Sequence, residues 1–310
     1  MLVLVVGATG VLGSATVRSL LALGHRVRGM TRHVARKREI ESLGAEPVIG
    51  DLADPASLAP ACAGVDRVFA AAHGALGRGR TRSEIVDDAG HRALIDAAHD
   101  AGVGRFVYVS ALGAAPDHPV DFFRTKWKIE QYLASSGSPH VVLRPSALME
   151  WHAHAFNGAA ILSKGRAVIL GTGTKPRNFV AAQDVAEVAA QALIGDLAST
   201  HLLAIGGPGD FTNDEVAELY ARIARVPKRI THIPPAALSL VGWLARPFHP
   251  GVARAMRLSS LPDDAFAETF DSASAGIERI VGATTLEAFV HERVSEHRAL
   301  ARRPPARSPP

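Results

Sequence analysis

Gly7-Ala8-Thr9-Gly10-Val11-Leu12-Gly13 directly follows the apolar run Leu2 to Val6 and directly precedes an amphipathic stretch over 11–23. Glycines at this spacing, between a strand and a helix, suit a backbone that must lie against a diphosphate. Gly7 permits the tight turn out of the strand, Gly10 removes a side chain that would block the approach, and Gly13 lets the helix lie close on the sheet. The helix then offers its unpaired N–H groups and the positive end of its dipole to the anion. With 28 glycines in 310 residues a lone glycine pattern arises easily by chance, so the strand before it and the helix after it carry the reading. Gly7, Thr9, Gly10, Val11, Leu12 and Gly13 form a candidate dinucleotide cradle, and a merely structural strand-turn-helix is the alternative.

No Asp or Glu occurs before Glu39. A cofactor with a free ribose 2′-hydroxyl usually meets an acidic side chain roughly 20 residues beyond the glycines. The end of the second strand carries Thr31-Arg32 instead, with Arg36, Lys37 and Arg38 just beyond. A guanidinium binds a 2′-phosphate through paired hydrogen bonds, whereas a carboxylate would repel it. NADP(H) is therefore expected rather than NAD(H), with Arg32 as the selecting residue. Arg36 to Arg38 either assist it or form the solvated face of a helix. Asp51 and Leu52 end the third strand and Ala71 and Ala72 the fourth, at the sheet edge where ligands collect. Asp51 is placed to accept from the adenine amino group or, alternatively, to flank the next helix, and the small alanines leave room for the cofactor backbone.

These residues need a sheet to hold them. Apolar, β-branched strands are expected over 2–6, 25–30, 46–49, 67–71, 105–110 and 140–143, separated by helices over 11–23, 34–43, 55–62, 82–101 and 120–135. The alternation predicts an α/β fold, a doubly wound parallel sheet of the Rossmann kind with helices on both faces. After Pro145 the rhythm breaks: Gly171-Thr172-Gly173-Thr174 reads as a turn, 180–193 as a helix, 201–205 as a strand, and 213–224 and 286–297 as helices. The expected organisation is an NAD(P)-binding domain over 1–205, with 146–180 contributing to the pocket. A small, mainly helical substrate lobe over 206–300 follows, not folding separately, and 301–310 form a disordered tail.

Composition narrows the function classes. A chain that is 47% hydrophobic at this length buries one large core and a smaller lobe. Its net charge of +4 is spread among scattered Arg and Lys residues, and 5% aromatic content is too little for a base-stacking surface, so no nucleic-acid partner is expected. The lone cysteine, Cys62, forbids an internal disulfide, reads as a buried or bystander thiol, and fits a reducing, cytoplasmic setting. The first strand begins at Leu2, leaving no room for a cleavable leader. No apolar run reaches the ~18 residues of a membrane span, 236–245 being the nearest.

Ser110 ends the fifth strand, which puts its hydroxyl at the ligand edge, and sixteen residues later Lys126 lies in the helix containing Phe122-Phe123-Arg124-Thr125-Lys126. With the glycine loop, Gly50-Asp51-Leu52, Val107-Tyr108-Val109-Ser110, Leu143-Arg144-Pro145, Met149-Glu150, Asn178-Phe179-Val180 and Asp184-Val185-Ala186, the chain resembles the short-chain dehydrogenase/reductase superfamily, in its extended and atypical NmrA-like branch. This set covers residues 2–195 and is specific as a group, while the C-terminal third is similar only in helix layout. The resemblance implies that Lys126 holds the nicotinamide ribose hydroxyls. It also implies a Tyr four residues before that Lys as the catalytic acid, and here the position is Phe122. General acid help is worth about 3–5 kcal/mol of barrier, so a plain carbonyl reductase would lose most of its rate.

Lys126 is alternatively part of a solvated face with Arg124 and Lys128. His118, His152 and His154 stand near the expected pocket mouth and have a suitable pKa for a replacement acid, though each is alternatively a surface residue. Tyr108 shares the strand face of Ser110 one step deeper, as core. No third ligand joins His152 and His154 at helical spacing, so no metal is expected.

The sequence reading is an NADPH-dependent oxidoreductase that transfers hydride to a small conjugated acceptor of the quinone or enone class, which water can protonate. Ser110 orients the acceptor, Lys126 serves the cofactor, and Phe122, Met149, Trp151, His152 and Phe156 shape the pocket. A monomer or homodimer is expected. The alternative is a non-catalytic NADP-binding redox sensor or assembly factor with a protein partner.

Overall fold

A computed structural model describes residues 1–195, 202–227, 229–262 and 269–301. Apart from Ala301, the tail expected to be disordered lies outside the described residues. The strands are β1 (Leu2–Val6), β2 (Arg26–Thr31), β3 (Glu46–Ile49), β4 (Arg67–Ala70), β5 (Arg105–Val109), β6 (His140–Pro145), β7 (Ala147–Leu148), β8 (Ala167–Leu170), β9 (Arg177–Val180), β10 (Leu202–Gly206), β11 (Asp210–Phe211), β12 (Ile230–Ile233) and β13 (Glu278–Val281). The helices are α1 (Val11–Ala22), α2 (Lys37–Ser42), α3 (Leu58–Cys62), α4 (Gly90–Asp100), α5 (Asp121–Ser135), α6 (Ala159–Lys164), α7 (Ala182–Ile194), α8 (Asn213–Ala224), α9 (Pro235–Ala245), α10 (Pro250–Ser260), α11 (Phe270–Ala273) and α12 (Leu286–Ala301).

Eight strands pair in the order β13-β10-β6-β5-β4-β1-β2-β3, every neighbour parallel. The chain winds outward both ways from β1 and β4, so the carboxyl ends of those two strands border the topological switch point where ligands of such sheets bind. Strand alternation divides the core in two. Val3 and Val5 of β1, with Phe69, Val107 and Val141, pack under α1 and α7, while Leu2, Leu4 and Val6, with Val68, Phe106 and Tyr108, pack under α3, α4 and α5. Both faces are covered, and burial of such side chains stabilises by about 1.5–3 kcal/mol each.

A third core cluster joins Met149, Phe179, Tyr220, Phe289 and Val290, so the segment after β6 packs against α8 and α12. β13 lies beyond the expected boundary at residue 205 yet pairs with β10 in the main sheet. The segment 206–300 is thus tied into the sheet as well as into the lobe, because β10 would otherwise be an uncovered edge. Several motif residues are fasteners of this arrangement. Asn178 accepts from Gly207 N–H at 2.8 Å and donates to Asp210 Oδ1 at 2.9 Å; Asp184 accepts from Thr284 Oγ1 at 2.8 Å; Glu150 accepts from Ala182 N–H at 3.0 Å, capping α7. The helix expected over 82–101 opens with a wide, π-helical stretch, Glu84–Ala89, before α4 begins, and a second such stretch, Met149–Gly158, follows β7. In the first, buried Asp87 turns back to accept from Gly74 N–H at 3.1 Å and from Ser83 Oγ at 2.6 Å.

Candidate active site

The glycine loop has the shape its sequence implies. Gly7 sits at φ +92°, the left-handed region that a side chain disfavours, and a Cβ there would lie 3.0 Å from Ala72 N. A Cβ on Gly13 would fall 2.1 Å from Gly7 O, so the helix rests directly on the loop. Gly10 differs: its φ of −82° and ψ of 169° suit any residue. A Cβ there would lie 3.2 Å from Gly7 O, a tight contact inside the loop, and a ligand approaching from outside adds to the demand for glycine. No side chain caps α1 and no acid occupies its first turn, leaving its N–H groups to an external anion. A dinucleotide phosphate fits this cradle.

Two arginines follow β2. Arg32 is exposed, its Nε 3.0 Å from His33 Nε2. Arg36 donates through Nη2 to Thr9 O at 3.2 Å and through Nε to Glu39 Oε2 at 2.8 Å, which holds a second guanidinium over the glycine loop. Arg36 thus touches the loop from an exposed face of its helix, with Nη2 also donating to Glu39 Oε1 at 2.9 Å. Asp51 Oδ1 accepts from Ala53 N–H at 2.9 Å and closes its own turn. Leu52 is 5% exposed, and both its carbonyl oxygen and its side chain pack against Gly90, so it serves the core. Leu12 is likewise core, Val11 is half-buried, and Ala71 and Ala72 border Gly7.

Lys126 is buried, which removes the solvated-face alternative. Its Nζ donates to Val109 O at 3.0 Å and stands over the rings of Tyr108, at 4.8 Å, and Phe122, at 5.4 Å. Burial lowers the pKa of the amine, and the carboxylates of Asp87 and Glu130 oppose that shift. Ser110 is turned elsewhere: its hydroxyl donates to Glu130, whose carboxylate is clamped by Arg144 through Nε at 2.9 Å and Nη2 at 2.5 Å. The hydroxyl proton of Ser110 is thus committed to a buried carboxylate, which makes the residue a fastener of this network as well as the acceptor ligand expected from its place at the strand end.

Phe122 meets His73 edge to face, ring centres 6.1 Å apart. His73 was not singled out in the sequence. It follows β4 by three residues, and the adjoining Gly74 is pinned by Asp87. The surrounding protein lowers its pKa and the charge of Lys126 adds to that, against the pull of Asp87. Beneath Lys126, His91 Nδ1 lies 2.8 Å from Val86 O, and His91 Nε2 and the Tyr108 hydroxyl are buried without partners. Burial pushes the His91 imidazole down to about 4, with Lys126 adding to the shift, and holds the Tyr108 phenol well above its ordinary range.

The remaining expected residues divide. Trp151 and Phe156 are exposed with ring centres 6.3 Å apart, and His152 meets Phe156 edge to face at 5.6 Å. Burial pushes the pKa of His152 to about 3, with the charge of Arg177 and that of His73 adding to the shift, which places His73 and His152 in one electrostatic neighbourhood. Met149, by contrast, is 1% exposed within the third core cluster and lines nothing open. His118 accepts from Val120 N–H at 3.0 Å and stacks on Phe123, and His154 lies 3.1 Å from the Tyr220 hydroxyl, so both are committed to the fold. Cys62 is buried, and burial raises its thiol to about 11 against the nearby charge of Arg28. Among the described residues no helix is long and apolar enough to cross a membrane.

Residues 7–195 match the family described as NAD(P)H-binding. The NAD(P)H azoreductase of Xenophilus azovorans is 32% identical over 234 residues, covering 75% of this chain and 77% of that protein. The Photosystem II assembly factor Ycf39 of Cyanophora paradoxa is 25% identical over 94% of this chain and 92% of its own length. The crystal structure of the NADPH-dependent quinone oxidoreductase QOR2 of Escherichia coli in complex with NADPH superposes with a TM-score of 0.67 at 22% identity, covering 96% of this chain and 99% of that one.

Proposed function

The chain belongs to the NAD(P)H-binding family, in its atypical, NmrA-like short-chain dehydrogenase/reductase branch, and on that footing we propose that it is an NADPH-dependent oxidoreductase passing hydride to a small conjugated acceptor of the quinone or enone class. The observation that carries the reading is the buried Lys126 beside the carbon ring of Phe122, a positioning group kept without the acid that ordinarily accompanies it. Gly7, Gly10, Gly13 and the amino end of α1 hold the pyrophosphate, Arg32 and Arg36 take the 2′-phosphate, and Lys126 binds ribose hydroxyls. When bound, NADPH supplies the hydride.

Phe122 donates no proton, so the favoured acceptors delocalise the arriving charge and are protonated from water. At neutral pH His73 is an uncharged imidazole beside Phe122, able to offer an N–H to the reduced acceptor. Trp151, His152 and Phe156 supply an apolar wall for a planar molecule. The relative named an azoreductase and the fold neighbour named a quinone oxidoreductase support acceptors of this kind. We place the protein in the cytoplasm on the same reading.

A non-catalytic NADP-binding sensor or assembly factor is the second reading, favoured by Phe122 and by similarity to a Photosystem II assembly factor along nearly the whole chain. Single-turnover oxidation of bound NADPH against quinones, enones, azo dyes and aldehydes separates the two. Rapid oxidation by a conjugated acceptor, unchanged within about twofold in Phe122→Tyr, is expected if the acid is dispensable. Silence across the panel, with a protein partner whose affinity differs between NADPH and NADP, overturns the reductase reading.

A further inference from the structure

Exposed apolar side chains gather on one element. Of α9 only Leu238 and Gly242 are buried, and a Cβ on Gly242 would lie 3.2 Å from Met256 Cβ and 3.4 Å from Ala253 O, so that stripe packs on α10. The rest of the helix leaves Leu240, Val241, Trp243 and Leu244 open, and Trp243 and Phe248 are 71% and 80% exposed. Scattered single apolar residues on a surface are ordinary, but five within 240–248 form a continuous stripe. The charge pattern is equally one-sided. Residues 219–262 contain no Asp or Glu; Arg246 is exposed at the end of α9, and Arg257, exposed on α10, has its Nε 3.4 Å from Pro119 O.

The hairpin is rigidly placed. Arg254 of α10 donates to Asp121 Oδ1 at 2.7 Å and Oδ2 at 2.8 Å, and to Ala75 O at 2.6 Å. A Cβ on Gly251 would fall 2.3 Å from the Leu76 carbonyl carbon, so α10 is seated on the loop that carries His73 and at the start of the helix that carries Lys126.

We propose that α9, together with Phe248, is an interfacial docking surface for an anionic lipid bilayer. Trp243, Leu244 and Phe248 enter the boundary between headgroups and acyl chains, and Arg246 and Arg257 meet the lipid phosphates. Lipid is the occupant favoured because the stripe protrudes along a helix, combines aromatic and aliphatic insertion with cations, and has no carboxylate in its own stretch of chain to repel an anionic surface. If the reductase reading holds, a lipid-soluble acceptor would reach the site from the bilayer side; the docking itself does not depend on that reading.

The test is co-sedimentation of the full chain, without cofactor, with vesicles of phosphatidylcholine alone and of phosphatidylcholine mixed with phosphatidylglycerol. Binding to the anionic vesicles that weakens with salt is expected. Trp243→Ser with Phe248→Ser lowers the affinity by more than about tenfold, and Arg246→Gln or Arg257→Gln each by about fivefold, with thermal unfolding unchanged. Absence of binding to either vesicle overturns the proposal, as does binding that neither set of substitutions alters. A concentration-dependent dimer abolished by Trp243→Ser, without vesicle binding, assigns the face to a second copy instead. NADPH titration of the same samples keeps the outcomes apart: loss of cofactor binding with vesicle binding intact counts against the reductase reading alone.

Discussion

His91 makes the buried centre of this protein sensitive to acid. Its ring is fully buried, it stacks edge to face on Tyr108 with centres 5.3 Å apart, and its pKa falls to about 4 in the folded chain because of burial first and the charge of Lys126 second. In the unfolded chain the imidazole titrates at about 6.5, so the unfolded state binds more protons wherever the pH lies between the two values. The stability contributed by neutral His91 is therefore fully present above about pH 6.5 and is lost as the pH falls toward 4. With those two values the loss between pH 7.5 and pH 5 is about 2 kcal/mol. His91→Phe keeps the stacked ring and removes the titration. At pH 7.5 it costs about 1 kcal/mol for the hydrogen bond to Val86 O. The assay is urea unfolding of both proteins at pH 7.5 and pH 5. Comparing the two changes cancels the other histidines, of which His73, His118, His152 and His154 are also lowered by burial. The variant should lose about 2 kcal/mol less than the parent. Parallel losses in the two proteins would refute the assignment.

Arg32→Asp should lower NADPH affinity by more than roughly tenfold in calorimetry while sparing NADH, since a carboxylate replaces the guanidinium facing the 2′-phosphate; equal affinity of the parent for both cofactors sinks this argument. Gly13→Ala puts a Cβ 2.1 Å from Gly7 O and should cost about 1–3 kcal/mol in thermal unfolding along with NADPH binding, so a variant that binds normally means that the helix does not rest on the loop as described. Glu130→Ala strands the Arg144 guanidinium, only 11% exposed, and should destabilise by about 3–5 kcal/mol, against about 1 kcal/mol for Ser110→Ala. Similar costs for the two would refute the account of Glu130 and Arg144 as a buried pair whose breaking strands a charge.

The glycine loop and the strand-helix alternation were legible because both are local. Gly7 must turn left-handed within one residue of β1, and the pattern of Leu2 to Val6 alternates between two buried faces whatever lies above them. The absence of an acid before Glu39 and the phenylalanine four residues before Lys126 are likewise facts of the chain alone. What a side chain does after its strand or helix has placed it depends on contacts between segments distant in sequence. Ser110 is spent on Glu130, twenty residues on, and Met149 is core because α8 and α12 close over it. Asp87, inside a helix by pattern, reaches back thirteen residues to pin Gly74 and so sets His73 beside Phe122. Sequence periodicity decides which face of an element is apolar. Only the packing of those faces decides which polar groups lose water together, and therefore which are left to hold the fold and which to face a ligand.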